Sequence, residues 1–182
     1  MIKMIKYVAL LRGINVGGNN KVAMPKLKKA FESMGFMNVK TYINSGNVIF
    51  ETDEKDIDKL VSKIEEYLAK NFGFSLRIVL RDSDNIQKLC KQIPSNWKND
   101  TYQRTDVLFL WNDFDSKKSI ELLSINPEVD TVKYIDGAIV WNLKRAHLNK
   151  SGMRKFIGTT IYKNMTARNI NTLRKIGELM NS

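Results

Sequence analysis

The sequence predicts an α/β (α+β) chain that duplicates a ferredoxin-like βαββα(β) unit, and three observations carry that prediction. Apolar spacing follows the order strand, helix, strand, strand, helix, strand over residues 1–81. A strand, a helix and a hairpin return in the same order from residue 104. The two hairpins are also alike in letters, since Val39-Lys40-Thr41-Tyr42-Ile43-Asn44-Ser45-Gly46-Asn47-Val48-Ile49-Phe50 aligns with gaps on Val132-Lys133-Tyr134-Ile135-Asp136-Gly137-Ala138-Ile139-Val140-Trp141. The chain is therefore read as a first unit over 1–81, a helical connection over 82–103, and a second unit with C-terminal helices over 104–182.

Met4 to Leu11 reads as a buried strand, and Arg12 to Lys21 as a loop rich in Gly and Asn. A helix follows, with Met24, Leu27, Ala30, Phe31 and Met34 at helical spacing, Pro25 in its first turn and Gly35 at its stop. Val39, Thr41 and Ile43 alternate with polar residues in a half-buried strand, and Asn44-Ser45-Gly46-Asn47 turns the chain into a second strand, Val48 to Glu51. Thr52 or Asp53 is placed to cap a helix with the stripe Ile57, Leu60, Val61, Ile64, Tyr67 and Leu68. Leu76 to Arg81 alternates as a strand, and a short helix carrying Ile86, Leu89, Cys90 and Ile93 stops at Pro94. In the second half Asp106 to Trp111 is a strand, Ser116 to Leu123 a helix, and Val132–Ile135 with Ile139–Leu143 a hairpin about Asp136-Gly137. The remainder is read as helical.

The chain of 182 residues carries 30 Lys and Arg against 19 Asp and Glu, a net charge of +11. Residues 1–50 hold Glu32 as their only acid and residues 142–182 only Glu178, so the excess lies at the two ends. A basic balance of this kind attracts phosphates or nucleic acid, although lysines on solvated helix faces also aid solubility. Cys90 is the only cysteine and His147 the only histidine, which excludes an intramolecular disulfide and a Cys-rich zinc site. No metal and no cofactor is expected. The longest apolar runs are five residues, against the roughly 20 that span a bilayer, and Arg12 interrupts any signal-peptide core. A cytoplasmic protein without a membrane partner is the expectation.

Leu10-Leu11-Arg12-Gly13-Ile14-Asn15-Val16-Gly17-Gly18, Gly35-Phe36, Thr41-Tyr42-Ile43-Asn44-Ser45-Gly46-Asn47 and Thr166-Ala167-Arg168-Asn169-Ile170-Asn171-Thr172 resemble the motifs of the family catalogued as domain of unknown function 1697. The last block departs from the family's usual Thr-Thr-Arg-Asn-Trp-Asn, with Ala167 for the second Thr and Ile170 for the Trp. The resemblance implies an α/β fold of two similar halves and brings no activity.

Function must then come from the residues. With a right-handed crossover, the end of the first strand and the first hairpin turn lie at one edge of the sheet. That edge gathers Arg12, Asn15, Gly17, Gly18, Asn19 and Lys21 with Asn44, Ser45 and Asn47. Adjacent glycines let backbone N–H groups approach a ligand, a helix start favours an anion, and Arg12 offers a two-pronged grip on phosphate or carboxylate. The glycines match neither the P-loop nor the dinucleotide spacing, and they equally shape a long connection. Thr166 is placed to cap the last helix, with Arg168 and Asn169 in its first turn as a second place for an anion, though capping alone also accounts for Thr166.

Asp53, Glu54, Asp56 and Asp58 complement a helix start better than they suit a metal. Cys90 falls on an apolar stripe as a core thiol, and His147 sits in an exposed basic stretch. Three functions remain open. One is a binding module for a phosphorylated ligand or nucleic acid. Another is an enzyme on a small anionic substrate, with Arg12 stabilising charge and Lys21 as acid or base. The third is a structural or protein-interaction domain.

Overall fold

An unbroken apolar run such as Tyr7 to Leu11 is stable where both faces of a strand are covered. In the computed structural model, which describes residues 3–182, that run is the body of β1 (Ile5–Leu11), and Tyr7 to Leu11 are all buried. After it come α1 (Met24–Ser33), β2 (Met37–Tyr42), β3 (Asn47–Thr52), α2 (Ile57–Phe72) and β4 (Ile78–Asp82). The strands form an antiparallel sheet in the order β2-β3-β1-β4, with β1 inside it. Tyr7, Ala9, Leu11, Phe50 and Leu80 face a core completed by Leu27 and Phe31 of α1 and by Leu60, Ile64 and Leu68 of α2. Phe50 lies at its centre, 4.4 Å from the ring of Phe36 and 5.4 Å from that of Phe31.

The first unit ends at Ser83 and the second runs from Asp84 to Met180. The later elements are α3 (Ser83–Gln92), β5 (Gln103–Leu110), β6 (Asp130–Ile135), β7 (Ala138–Lys144), α4 (Thr160–Lys163), β8 (Met165–Asn169) and α5 (Ile170–Asn181). Here too the sheet is antiparallel, ordered β6-β7-β5-β8. Helix α3 packs within this unit, its Gln87 Nε2 donating to the Gly177 carbonyl at 3.0 Å.

The two sheets agree strand for strand and in register. Tyr7 stands opposite Phe50 and Asp82, and Asp106 opposite Trp141 and Asn169. Leu11 N–H donates to the Gly46 carbonyl at 2.9 Å, as Leu110 N–H does to Gly137 at 3.1 Å. One residue on, Arg12 N–H donates to Arg77 and Trp111 N–H to Asn164. Even the outer strands correspond. Arg81 faces Val8 and Arg168 faces Val107, both arginines are buried, and each sends NH1 to the carbonyl one residue before it.

Three sequence expectations are corrected. Thr52 and Asp53 do not cap α2; Asp56 does, accepting from Lys59 N–H at 3.0 Å, while Thr52 Oγ1 is used by Glu54 N–H. Neither Ser116–Leu123 nor the chain from residue 145 to α4 is α-helical: both fold as 3-10 turns, over Lys117–Leu122, Arg145–Lys150 and Gly152–Lys155. Thr166 is not the cap of the last helix, because the chain first adds a strand. β8 pairs with β5 as far as Asn169, and Asn169 Oδ1 caps α5 through Thr172 N–H at 3.0 Å.

The turns of the second unit are secured by one carboxylate. Buried Asp130 accepts hydrogen bonds from Ser151 Oγ, from Gly152 N–H at 2.9 Å and from Asn126 N–H at 2.9 Å. Burial raises its pKa, but the bonds from Ser151, Asn126 and Gly152 more than reverse this and hold it below the ordinary carboxylate value. A depressed carboxylate contributes stability above its unfolded pKa, about 3.9, and loses it as pH falls through the lower folded value. Asp130→Asn is expected to destabilise by about 1–3 kcal/mol at neutral pH. It should also flatten the acid limb of the unfolding midpoint below about pH 4. An acid limb superposable on that of the wild type would exclude Asp130 as its source.

Candidate functional site

The loop between β1 and α1 is ordered by its own amides. Asn15 takes φ 55° and Asn20 φ 48°, a region that short polar side chains tolerate. Asn15 Nδ2 donates to the carbonyls of Val22 at 3.0 Å and Asn44 at 2.9 Å, and its Oδ1 accepts from Val22 N–H at 2.8 Å. One side chain thus ties both ends of the loop to the hairpin turn. Below it, Ile14 is buried against Gly46, so the loop is plugged into the core. Gly17 and Gly18 form the tip, closed by Asn19 N–H to the Val16 carbonyl at 3.0 Å.

Above this plug lies a cleft of about 620 Å³. Of the residues expected at this edge, Asn15, Gly18, Lys21 and Asn44 line it. Arg12, Gly17, Asn19, Ser45 and Asn47 do not. Asn47 is fully buried and its Nδ2 is used inside the hairpin, by the Tyr42 carbonyl at 2.9 Å and Ser45 Oγ at 3.1 Å. The sequence reading missed Val22, Ala23, Lys26 and Phe72, which complete the walls. The signal for Lys26 was its place in the first turn of α1; for Phe72, the last residue of α2, there was none, because only folding brings it here.

The helix behind the cleft has an unusual start. Ala23 stands at the N-cap of α1 without a side-chain cap, Pro25 lacks an N–H, and the first turn holds no acid. By contrast, α2 has Asp56 as cap and Asp58 in its first turn. The positive end of α1 is therefore left to its surroundings, with Lys21 and Lys26 adding charge of the same sign. Half-buried Phe72 offers an aromatic surface, its ring 6.5 Å from that of Phe74.

Arg168 and Asn169 belong to the second unit. Arg168 lies on β8 rather than in a helical turn, donating to Thr166 Oγ1 at 3.0 Å and to the Ala167 carbonyl at 2.8 Å, and burial lowers its pKa to about 10. The acids before α2 are part of its start: Glu54 accepts from the N–H groups of Lys55 and Asp56, pairs with Lys59, and is held at about 2, chiefly by Lys59. Cys90 is half-buried with its thiol pKa raised by burial, and His147 sits half-buried in a 3-10 turn. Among the described residues no group of three His, Cys, Asp or Glu is placed to hold a metal, and no helix is long and apolar enough to cross a membrane.

Comparison with known proteins adds a fold and a family. The chain is similar to the conserved bacterial protein SP0830 from Streptococcus pneumoniae, whose solved structure is 28% identical, with a TM-score of 0.84 over 98% of this chain and 99% of that chain. The acetolactate synthase small subunit from Thermotoga maritima aligns over 92% of this chain and 98% of that chain at 14% identity, with a TM-score of 0.25. No curated protein matches the chain. The Thr166–Thr172 block lies beyond the residues that match a family model, but those residues, 4–141, hold the Gly/Asn loop and the first hairpin, and the chain belongs to the family described as protein of unknown function DUF1697.

Proposed function

We propose that this chain is a cytoplasmic binding protein, duplicated from a ferredoxin-like βαββα(β) unit, that holds a phosphorylated small molecule in the cleft of its first unit. The matching strand orders, registers and Gly46 and Gly137 turns support the duplication. The observation that carries the function is the convergence of the uncapped start of α1 with Lys21, Lys26, Asn15 and Phe72 on one cleft. Helix amides and two ammonium groups suit a phosphate, and Phe72 suits a ring attached to it. A cleft of about 620 Å³ also has the size of a small-molecule site. Nucleic acid is the weaker reading, because Phe50, the one aromatic on the 45–50 segment, is fully buried and cannot stack a base.

Thermal unfolding in ATP, in ribose phosphate and in inorganic phosphate tests this. Millimolar ATP should raise the midpoint more than inorganic phosphate does, and Lys21→Ala with Lys26→Ala should weaken ATP binding by roughly tenfold or more. No shift with any phosphorylated compound, or a shift that survives the double substitution, would overturn the proposal. So would an oligonucleotide that binds more tightly than ATP and ignores both lysines.

A further inference from the structure

We propose that the second unit holds a separate small-molecule site, a cavity on the α4 side of its sheet that takes a flat apolar body bearing one anionic group. It shares no residue with the first-unit cleft and does not depend on the function proposed there.

The cavity follows from how the sheet is covered. In the first unit the chain between the third and fourth strands is α2, 16 residues with a continuous apolar stripe. At the corresponding place between β7 and β8 the chain makes 3-10 turns over Arg145–Lys150 and Gly152–Lys155, then the four-residue α4. Short 3-10 turns cannot present a stripe of helical length. They cover the sheet with single side chains and leave about 490 Å³ between them. That lies within the roughly 300–1,000 Å³ of ligand pockets.

The walls select the occupant. Leu108 and Trp141 of the sheet form one side, and Phe156 and Tyr162 another. The Phe156 ring stands 6.0 Å from the fully buried Trp141, which backs it, and 5.5 Å from Tyr162, edge to face, so Phe156 and Tyr162 supply the aromatic surface that a guest would meet. Ile157, also part of the lining, is 75% exposed, an apolar cost in water that a guest would relieve. Charge supplies the other half. Asp106 is already matched by Arg104, with N–O distances of 2.8 Å. Arg154 also lines the cavity and takes part in no ion pair among the described residues, its NH1 reaching only Asn149 Oδ1 at 3.4 Å. The net charge at the cavity is thus that of one guanidinium, which an anionic group complements.

The test uses the full chain and anilinonaphthalene sulfonate, a dye with fused rings and one sulfonate. Saturable binding of one dye per chain is expected, with enhanced, blue-shifted fluorescence. Ala167, exposed on β8 and lining the cavity, becomes a plug as Ala167→Phe and should abolish that binding. Arg154→Ala should weaken the sulfonate dye roughly tenfold. The uncharged phenylnaphthylamine should bind wild type and Arg154→Ala alike. A folded Ala167→Phe variant that binds as wild type does would overturn the cavity. Equal sulfonate affinity in Arg154→Ala would overturn the anionic half. If Ala167→Phe does not fold, the comparison of the two dyes on Arg154→Ala decides alone.

Discussion

Gly152→Ala is expected to cost the second unit more than about 4 kcal/mol, enough to leave it largely unfolded. A Cβ at this position would stand 1.3 Å from the Ser124 carbonyl oxygen and 2.5 Å from its carbon. Those are backbone atoms, so no side-chain rotation relieves the overlap. Moving the segment would break what fixes it: Gly152 N–H to Asp130, Ser151 Oγ to Asp130, and Asn126 Nδ2 to the Lys150 carbonyl at 2.9 Å. Trp97, Trp111 and Trp141, the chain's three tryptophans, all lie in this unit, so tryptophan fluorescence in a urea titration reads it selectively. A loss below about 1 kcal/mol would show that the 124–130 and 150–153 segments separate freely, contrary to the packing described.

Gly46→Ala is the corresponding experiment in the first unit, with an expected loss of about 3 kcal/mol. The residue takes φ +79°, which costs an L side chain roughly 1–2 kcal/mol. The new Cβ would also meet Ile14 Cδ1 at 2.6 Å and Leu11 Cβ at 2.9 Å, an overpacking worth about 1–3 kcal/mol. The Ile14 tip can turn; Leu11 Cβ, set by the backbone of β1, cannot. Because Ile14 plugs the loop, its displacement should carry Asn15 with it and weaken the cleft. Gly17→Ala is the control, having φ +57° but open space around it. Hydrogen exchange of the β1 amides measures both. If Gly46→Ala costs no more than Gly17→Ala, the contact beneath the loop does not limit stability.

Much of this fold was legible because burial and period agree. The stripe from Ile57 to Leu68 is apolar at helical spacing, and its Leu60, Ile64 and Leu68 are the residues that α2 buries. β8 was illegible for the opposite reason. Two of its buried positions hold Thr166 and Arg168, polar side chains satisfied by each other, so no alternation of letters marks the strand. The 145–159 segment was misread as α-helical because its buried Met153 and Phe156 serve short 3-10 turns rather than one helical face. At the candidate site, the Gly/Asn content located the loop correctly but overstated the amides on offer. Asn15 and Asn47 spend their amides on backbone carbonyls of the loop and the hairpin themselves, Asn15 on Val22 and Asn44 and Asn47 on Tyr42. What completes the cleft, Lys26 and Phe72, comes from two helices separated by the whole hairpin, and no local pattern records that meeting.

The two sheets are open, so each ends in two strands that could template another chain: β2 and β4 in one, β6 and β8 in the other. None exceeds six residues. β2 is further interrupted where its pairing with β3 shifts between Met37 and Lys40, with Asn38 at φ 51° between them. Such a kink twists the ladder away from a flat partner. Lys40 on β2 and Lys133 on β6 are exposed and bring charge to the same margins. The irregularity of β2 thus guards against edge-to-edge aggregation, keeping a chain built of two four-stranded sheets from propagating them into a third.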